Sequence, residues 1–319
     1  MSISEKLTQM FLAVAIFGAI FGGVVVLAGR ASGRKAEKVQ AAAFLGPAVI
    51  LLAVGLLYPA IRTVYESTRN AAGKKFIGFE NYTRIVETPE LRIVLRNTAL
   101  WVVLVPLIAT SIGLLYAVLV DKARAEAFAK SLIFLPMSIS FVGASIIWKF
   151  VYDYRPEGRE QIGLANQLIT AAGGKPFNFI LSDINTLYLI VILVWIQAGF
   201  AMTILSAALK GIPDDIVEAA RLDGVNWRQM FAHITLPSLR PALVVVLTTI
   251  GIGTLKVFDI VRTMTGGQFK TNVIANEFFD QSFRQGDAGL GASLAVVLFV
   301  MVIPIIFYNV RQLRKADAR

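Results

Sequence analysis

The sequence contains no cysteine and one histidine, His233. Without cysteine there are no disulfides, no thiolate metal sites and no cysteine nucleophile. Without a second histidine the common metal centres are out of reach too. No GxxxxGK[ST] run occurs, so the chain has no P-loop of its own. HExxH and GxSxG are also missing, which removes a zincin helix and a nucleophile elbow. No nucleophile–base constellation remains on which to build an enzyme. Charge is sparse: 16% of residues are Asp, Glu, Lys or Arg, against about 25% in an ordinary soluble domain. There is no tandem repeat, no low-complexity tract and no segment long enough for a separate soluble domain.

What the sequence does have is long apolar runs. Of 319 residues, 56% are hydrophobic. Seven stretches read as membrane spans, at 10–28, 41–61, 97–120, 131–152, 185–209, 241–261 and 288–310. At about 1.5 Å per residue each can cross an apolar core roughly 30 Å thick. Backbone groups in lipid must be satisfied internally, so runs of this length are helices, and a barrel would show shorter alternating segments. The fold class expected is therefore an all-α integral membrane protein. The first run exceeds the about 7–15 apolar residues of a cleavable leader. It is read as a helix, with cleavage as the alternative.

The net charge of +10 would point a soluble protein toward nucleic acid; in a membrane protein it reads as a cytoplasmic bias. The segments 30–40, 121–130, 210–240 and 311–319 carry Lys and Arg at about twice the density of the alternate segments. These are assigned to the cytoplasm. Seven crossings then leave the C-terminus cytoplasmic and the N-terminus outside, in a multi-pass protein of the cell membrane. Only Lys256 and Asp259 lie well inside a span, and their spacing suggests that they pair with each other. Lys149 lies near a span end and can snorkel. A proton-driven carrier usually holds more buried carboxylates. Transport powered by a partner is the better default.

The loop at 211–240 carries the most information. Pro213 suits a first helical position, and Asp214 and Asp215 favour the N-terminal dipole. Glu218, Ala219 and Ala220 propagate the helix, and Gly224 stops it. Asn226 can cap a second helix from Trp227 to about His233, after which Pro237 bends the chain into the next span. Ala219 and Ala220 leave one face small enough for close approach by another protein. Trp227, Met230 and Phe231 either pack back on the loop or form a docking knob for a cytoplasmic partner.

The spacing Glu218-Ala219-Ala220, three residues, Gly224, nine residues, Ile234-x-Leu236-Pro237 resembles the EAA motif of ABC importer permeases in every fixed position. From about residue 41 most of the chain is similar to sugar permeases of the maltose/α-glucoside type, notably "GPAVILLAVGLLYPAIRTVYES", "FIGFENYTRI", "SLIFLPMSISFVGASIIWKFVYDY" and "LKVFDIVRTMTGG". Two features depart from the pattern. Gln268 stands where many such permeases have proline, and the first outer segment lacks a large inserted domain. The resemblance implies a type I importer permease fold, with a six-helix core at 41–319 and an extra N-terminal transmembrane helix and linker at 1–40. It also implies a second homologous permease, a cytoplasmic ATPase dimer that uses ATP and Mg2+, and an extracytoplasmic sugar-binding protein. This chain itself would hold no cofactor and would bind no nucleic acid. The EAA helix becomes a coupling helix seated in an ATPase cleft. Glu218 would pair with a basic residue there, Gly224 would allow the turn, and Asp214, Asp223 and Phe231 would add contacts around Ala219 and Ala220.

A sugar offers both polar and apolar faces, so its site calls for ring faces beside amides or hydroxyls. In the fifth span the positions matching the family's site are Trp195, Ile196, Gln197 and Phe200. In the sixth they are Ile250, Gly253, Thr254 and Val257, whose offsets of 0, 3, 4 and 7 share one helical face. The competing reading is that these residues only pack helices together. The rival functions are import of another solute and, from a different class, a self-contained channel or carrier.

Overall fold

The computed structural model describes residues 3–30, 36–121 and 124–317. The chain divides into two compact units, Met1–Tyr65 and Glu66–Arg319.

In the first unit, α1 (Ile3–Arg30) and α2 (Ala36–Leu52) pack on each other. A π-helical turn at Ala53–Leu57 leads into α3 (Tyr58–Ser67). The π turn precedes Pro59, which has no N–H to give and needs room behind its ring. In the 18-residue apolar windows of Ser4–Val26 and Ala36–Ser67 no residue is buried within the structure. They are apolar all round, as lipid-facing helices are.

The second unit is built around two long helices. After the short α4 (Glu80–Glu87) comes α5 (Pro89–Val120). Next are α6 (Glu126–Phe134), α7 (Phe141–Val151), α8 (Leu164–Ala171) and the central α9 (Asn185–Lys210). Two-thirds of α9's apolar window is buried, 67% against 33% for α5, so α9 is the axis of the bundle. α5 crosses it closely. A Cβ on Gly113 would lie 2.5 Å from the Ala201 Cβ and 2.6 Å from the Met202 N. On another side a Cβ on Gly199 would meet the Ile133 carbonyl at 2.6 Å, so α6 also touches α9 backbone to backbone.

Beyond α9 lie α10 (Asp214–Leu222), α11 (Trp227–Gln229) and a π segment at Met230–Thr235 that runs on into α12 (Leu236–Leu255). The chain ends with α13 (Asp259–Met264), α14 (Ile274–Phe279) and α15 (Ala288–Asp317). Among the described residues there is no strand, only an isolated bridge between Arg69 and Phe76.

Among the described residues six helices are long and apolar enough to cross a membrane, and a seventh crossing exists if the α6–α7 pair counts as one. That pair is not the straight span expected at 131–152: it bends by 103°. The cause is local. Pro136 sits in a 3-10 turn at Leu135–Ser138, Ile139 and Ser140 are extended, and the Ser140 hydroxyl accepts from the Gly143 N–H to start α7 afresh. The sixth span also starts and ends earlier than expected. α12 stops at Leu255, and Val257 and Phe258 lie outside any helix. Lys256 and Asp259 are therefore not neighbours on one helix, and among the described residues no ion pair joins them.

Candidate functional site

The 211–235 loop lies at the Lys210 end of α9. Pro213 caps α10 from outside the helix, in extended ψ, one residue earlier than the sequence suggested. Asp214 and Asp215 fill the first turn, where the N–H groups favour anions. At the other end the Gly224 N–H donates to the Arg221 carbonyl and the Val225 N–H to the Ala220 carbonyl, each at 3.1 Å. With Gly224 at φ +76°, this is a Schellman stop. Two residues on, the Asn226 side chain accepts from the Gln229 N–H at 3.0 Å, and the Gln229 side chain accepts from the Asn226 N–H at 3.0 Å. This reciprocal capping box starts α11 as expected. The second helix does not end at His233, however. It passes through the π segment into α12, with Pro237 in the first turn.

Asp214, Glu218, Ala219, Asp223 and Gly224 are all exposed, and only Ala220 turns inward. The small face is thus shared: Ala220 packs on the loop while Ala219 stays open. The aromatic candidates divide as well. Trp227 is exposed, with the Arg228 guanidinium 5.7 Å from its ring centre, while Met230 and Phe231 are half-buried. Leu222, 89% exposed at the end of α10, was not singled out from sequence. The available signal was a large apolar residue between Arg221 and Asp223 at the end of a short loop helix.

Beneath α10 is a cavity of about 430 Å³, bordered by Asp121, Glu126, Lys210, Val217 and Met230 among others. Glu126 spans it electrostatically. Its carboxylate receives Lys130 at 2.6 Å and Lys210 at 2.5 Å, and Lys130 also reaches the Ser206 hydroxyl. The start of α6 is thereby tied to the last residue of α9, where the chain departs for α10.

The solute candidates are only partly brought together. Gln197 and Phe200, three residues apart, share a face of α9, while Trp195 lies well around the helix from both. Trp195 packs edge-on to Trp148 of α7, ring centres 5.8 Å apart. All three are half-buried, Ile196 is buried, and Gln197 has no hydrogen-bond partner among the described residues. On α12 the expected face turns mostly inward. Ile250 and Thr254 are buried, and the Thr254 hydroxyl donates to the Ile250 carbonyl at 2.7 Å. Val257 is buried beyond the helix end, and Gly253 alone of the four is exposed, with open space around it.

Residues 109–314 match the family described as binding-protein-dependent transport system inner membrane component. The chain belongs to this family. An osmoprotective compounds uptake permease protein of Synechocystis sp. is 47% identical over 275 residues, 86% of this chain and 99% of that protein. An alpha-glucoside transport system permease protein of Rhizobium meliloti is 47% identical over 280 residues, 87% of this chain and 83% of its own. Among solved structures, a bacterial alginate ABC transporter bound to an alginate pentasaccharide-loaded periplasmic protein superposes with a TM-score of 0.73. It is 20% identical and covers 86% of this chain and 93% of its own. The MetNI methionine ABC transporter superposes with a TM-score of 0.51 at 20% identity, over 72% of this chain and 98% of its own. The fold is thus that of an ABC importer permease, as the EAA spacing implied. The chain is a membrane component of a binding-protein-dependent transport system.

Proposed function

We propose that this permease carries a carbohydrate of the α-glucoside or disaccharide class, driven by ATP hydrolysis in partner subunits. The observation that carries the coupling half is α10, whose outward face offers Glu218, Ala219 and Leu222; it is closed at its C-terminal end by the Gly224 turn and followed by the capped helix that runs into the sixth span. A short rigid helix between two spans transmits displacement better than a loose loop. In this reading Glu218 pairs with a basic ATPase residue and Asp214 and Asp223 add polar contacts. Leu222, with Trp227 and Phe231, fills the apolar part of the cleft. The loop side is cytoplasmic, the C-terminus lies on that side, and the N-terminus is extracytoplasmic. A second homologous permease completes the pore, an ATPase pair binds ATP and Mg2+, and an extracytoplasmic binding protein delivers the sugar.

The solute half is supported by the alpha-glucoside relative and by the free amide of Gln197 beside Phe200. Trp195 adds a ring further around α9, and Gly253 on α12 has open space around it. Thr254 enters this site only if α12 rotates. The equally similar osmoprotective-compound relative supports a second reading, a compatible solute of comparable polarity.

The test is ATP-dependent uptake by the reconstituted importer, with maltose, trehalose, an amino acid and a peptide in competition. Gln197→Leu should change the preference among sugars by about tenfold, since an amide hydrogen bond lost in a buried site costs about 1–3 kcal/mol. Uptake of amino acid or peptide without sugar would overturn the proposal. Loss proportional to protein abundance, with unchanged preference, would remove Gln197 from the site.

A further inference from the structure

At the Asn185 end of α9, about 39 Å from the 211–235 loop along a 26-residue helix, a second cavity of about 460 Å³ opens at the bundle surface. Its lining brings together Lys149 and Tyr152 at the end of α7, Asp153 and Tyr154 just after it, and Asn178 from the segment before α9. Phe269 overhangs it from the loop after α13.

Two features separate this cavity from an accidental gap. The first is its free polar groups. Among the described residues the Lys149 ammonium, the Asp153 carboxylate and the Tyr154 hydroxyl have no hydrogen-bond or ion-pair partner. Asn178 is oriented, because its side-chain oxygen accepts from the Ile180 and Leu181 N–H groups at 3.2 and 3.1 Å, and its amide N–H₂ has no partner among the described residues. The second is its floor. The Tyr152 hydroxyl donates to the Tyr188 carbonyl at 3.0 Å, fixing the ring. That ring stacks on Phe179 at 4.8 Å and meets Trp148 at 5.0 Å, and Trp148 meets Trp195 at 5.8 Å. A continuous column of rings therefore leads from the cavity floor to the fifth-span position already considered for the solute.

We propose that this cavity is a receiving subsite for a neutral polyhydroxylated solute, which it holds before the solute moves along the Tyr152–Trp148–Trp195 column. The proposal rests on the carbohydrate reading above. Lys149 and the Asn178 amide donate to sugar oxygens, Asp153 accepts from a pair of hydroxyls, and the rings cover the C–H face. The cation and the anion balance, so a neutral ligand keeps both satisfied, while an anionic one would face Asp153. A volume of this size lies within the range of small-molecule sites, about 300–1,000 Å³.

The absence of native cysteine makes the test direct. Tyr154→Cys, and separately Asn178→Cys, are placed in the assembled importer in vesicles, with Leu168→Cys on exposed α8 as control. Labelling by an impermeant maleimide is followed as free maltose or trehalose is raised, without binding protein, so that docking cannot shield the thiol. Transport of both sugars by the unmodified importer is measured alongside. The expected result is slowing of labelling at Tyr154→Cys and Asn178→Cys by about threefold or more at saturation, by mass action, with Leu168→Cys and a mannitol control unchanged. With binding protein saturated, Lys149→Gln should lower sugar transport several-fold. Sugar transport with unprotected thiols at both positions would overturn the subsite and leave the carbohydrate reading intact. Absence of transport for every disaccharide offered would overturn both.

Discussion

Gly224 gives the sharpest test of rigid coupling, because its substitution acts on backbone alone. It lies at φ +76°, and a Cβ placed there would meet nothing within 4 Å. No packing changes with the side chain. What changes is the cost of the left-handed turn that lets the Gly224 and Val225 N–H groups close α10 onto Arg221 and Ala220. For alanine that cost is about 1–2 kcal/mol, which shifts the closed turn against its frayed form by about five- to thirtyfold. Asparagine tolerates the conformation better, and valine tolerates it worse. The expected order of coupled transport is therefore Gly224, then Gly224→Asn, then Gly224→Ala, then Gly224→Val, at equal membrane abundance. The assay is solute moved per ATP hydrolysed in proteoliposomes, with amide exchange at Val225 reporting the turn itself. Faster exchange at Val225 in Gly224→Ala with undiminished coupling would refute the argument, because a frayed helix would then transmit as well as a closed one.

Two further outcomes follow from the packing. Phe79 and Arg221 are exposed and are separated by α5, the bent α6–α7 pair and α9. Thiols at Phe79→Cys and Arg221→Cys should label from opposite sides of the membrane, whereas labelling from one side would show that the bent pair re-enters rather than crosses. Gly113→Val should lower the thermal unfolding temperature in detergent, since its side chain must displace Ala201 and the Met202 backbone and overpacking of this kind costs about 1–3 kcal/mol. An unchanged temperature would mean that the α5–α9 crossing yields freely.

Much of this was legible in the residues themselves. Six of the seven expected spans, and their helical type, followed from run length, and the α10 stop and α11 start followed from Gly224 and Asn226, whose chemistry is local. The family followed from spacing that local chemistry does not demand. What escaped was set by contacts between distant segments. Pro136 hinted at a break in the fourth span, but a 103° bend also needs Ile139 and Ser140 extended, and apolar composition does not distinguish a bent run from a straight one. The periodicity 250, 253, 254, 257 describes a face without saying whether it looks at the pore or the core, and α12 packs Ile250 and Thr254 inward. Val257 left the face because the helix ended two residues earlier, and the same break separated Lys256 from Asp259. The column of Tyr152, Trp148 and Trp195 joins side chains more than 40 residues apart in the chain, so no short window on the sequence contains it.

The π segment at Met230–Thr235 has a consequence for how the coupling helix is aimed. A π turn accommodates one more residue than the α turn it replaces. Deleting a single residue there would let the backbone wind as plain α-helix, and α11, with α10 just before it, would be turned by about 100° about the axis of the sixth span. Glu218 and Leu222 would then face a new azimuth while the spans kept their own packing. The bearing of α10 is thus written into the chain as a residue count as well as a set of contacts. A one-residue slip in this stretch would be read by a partner below as rotation, without any change in the surface chemistry that α10 presents.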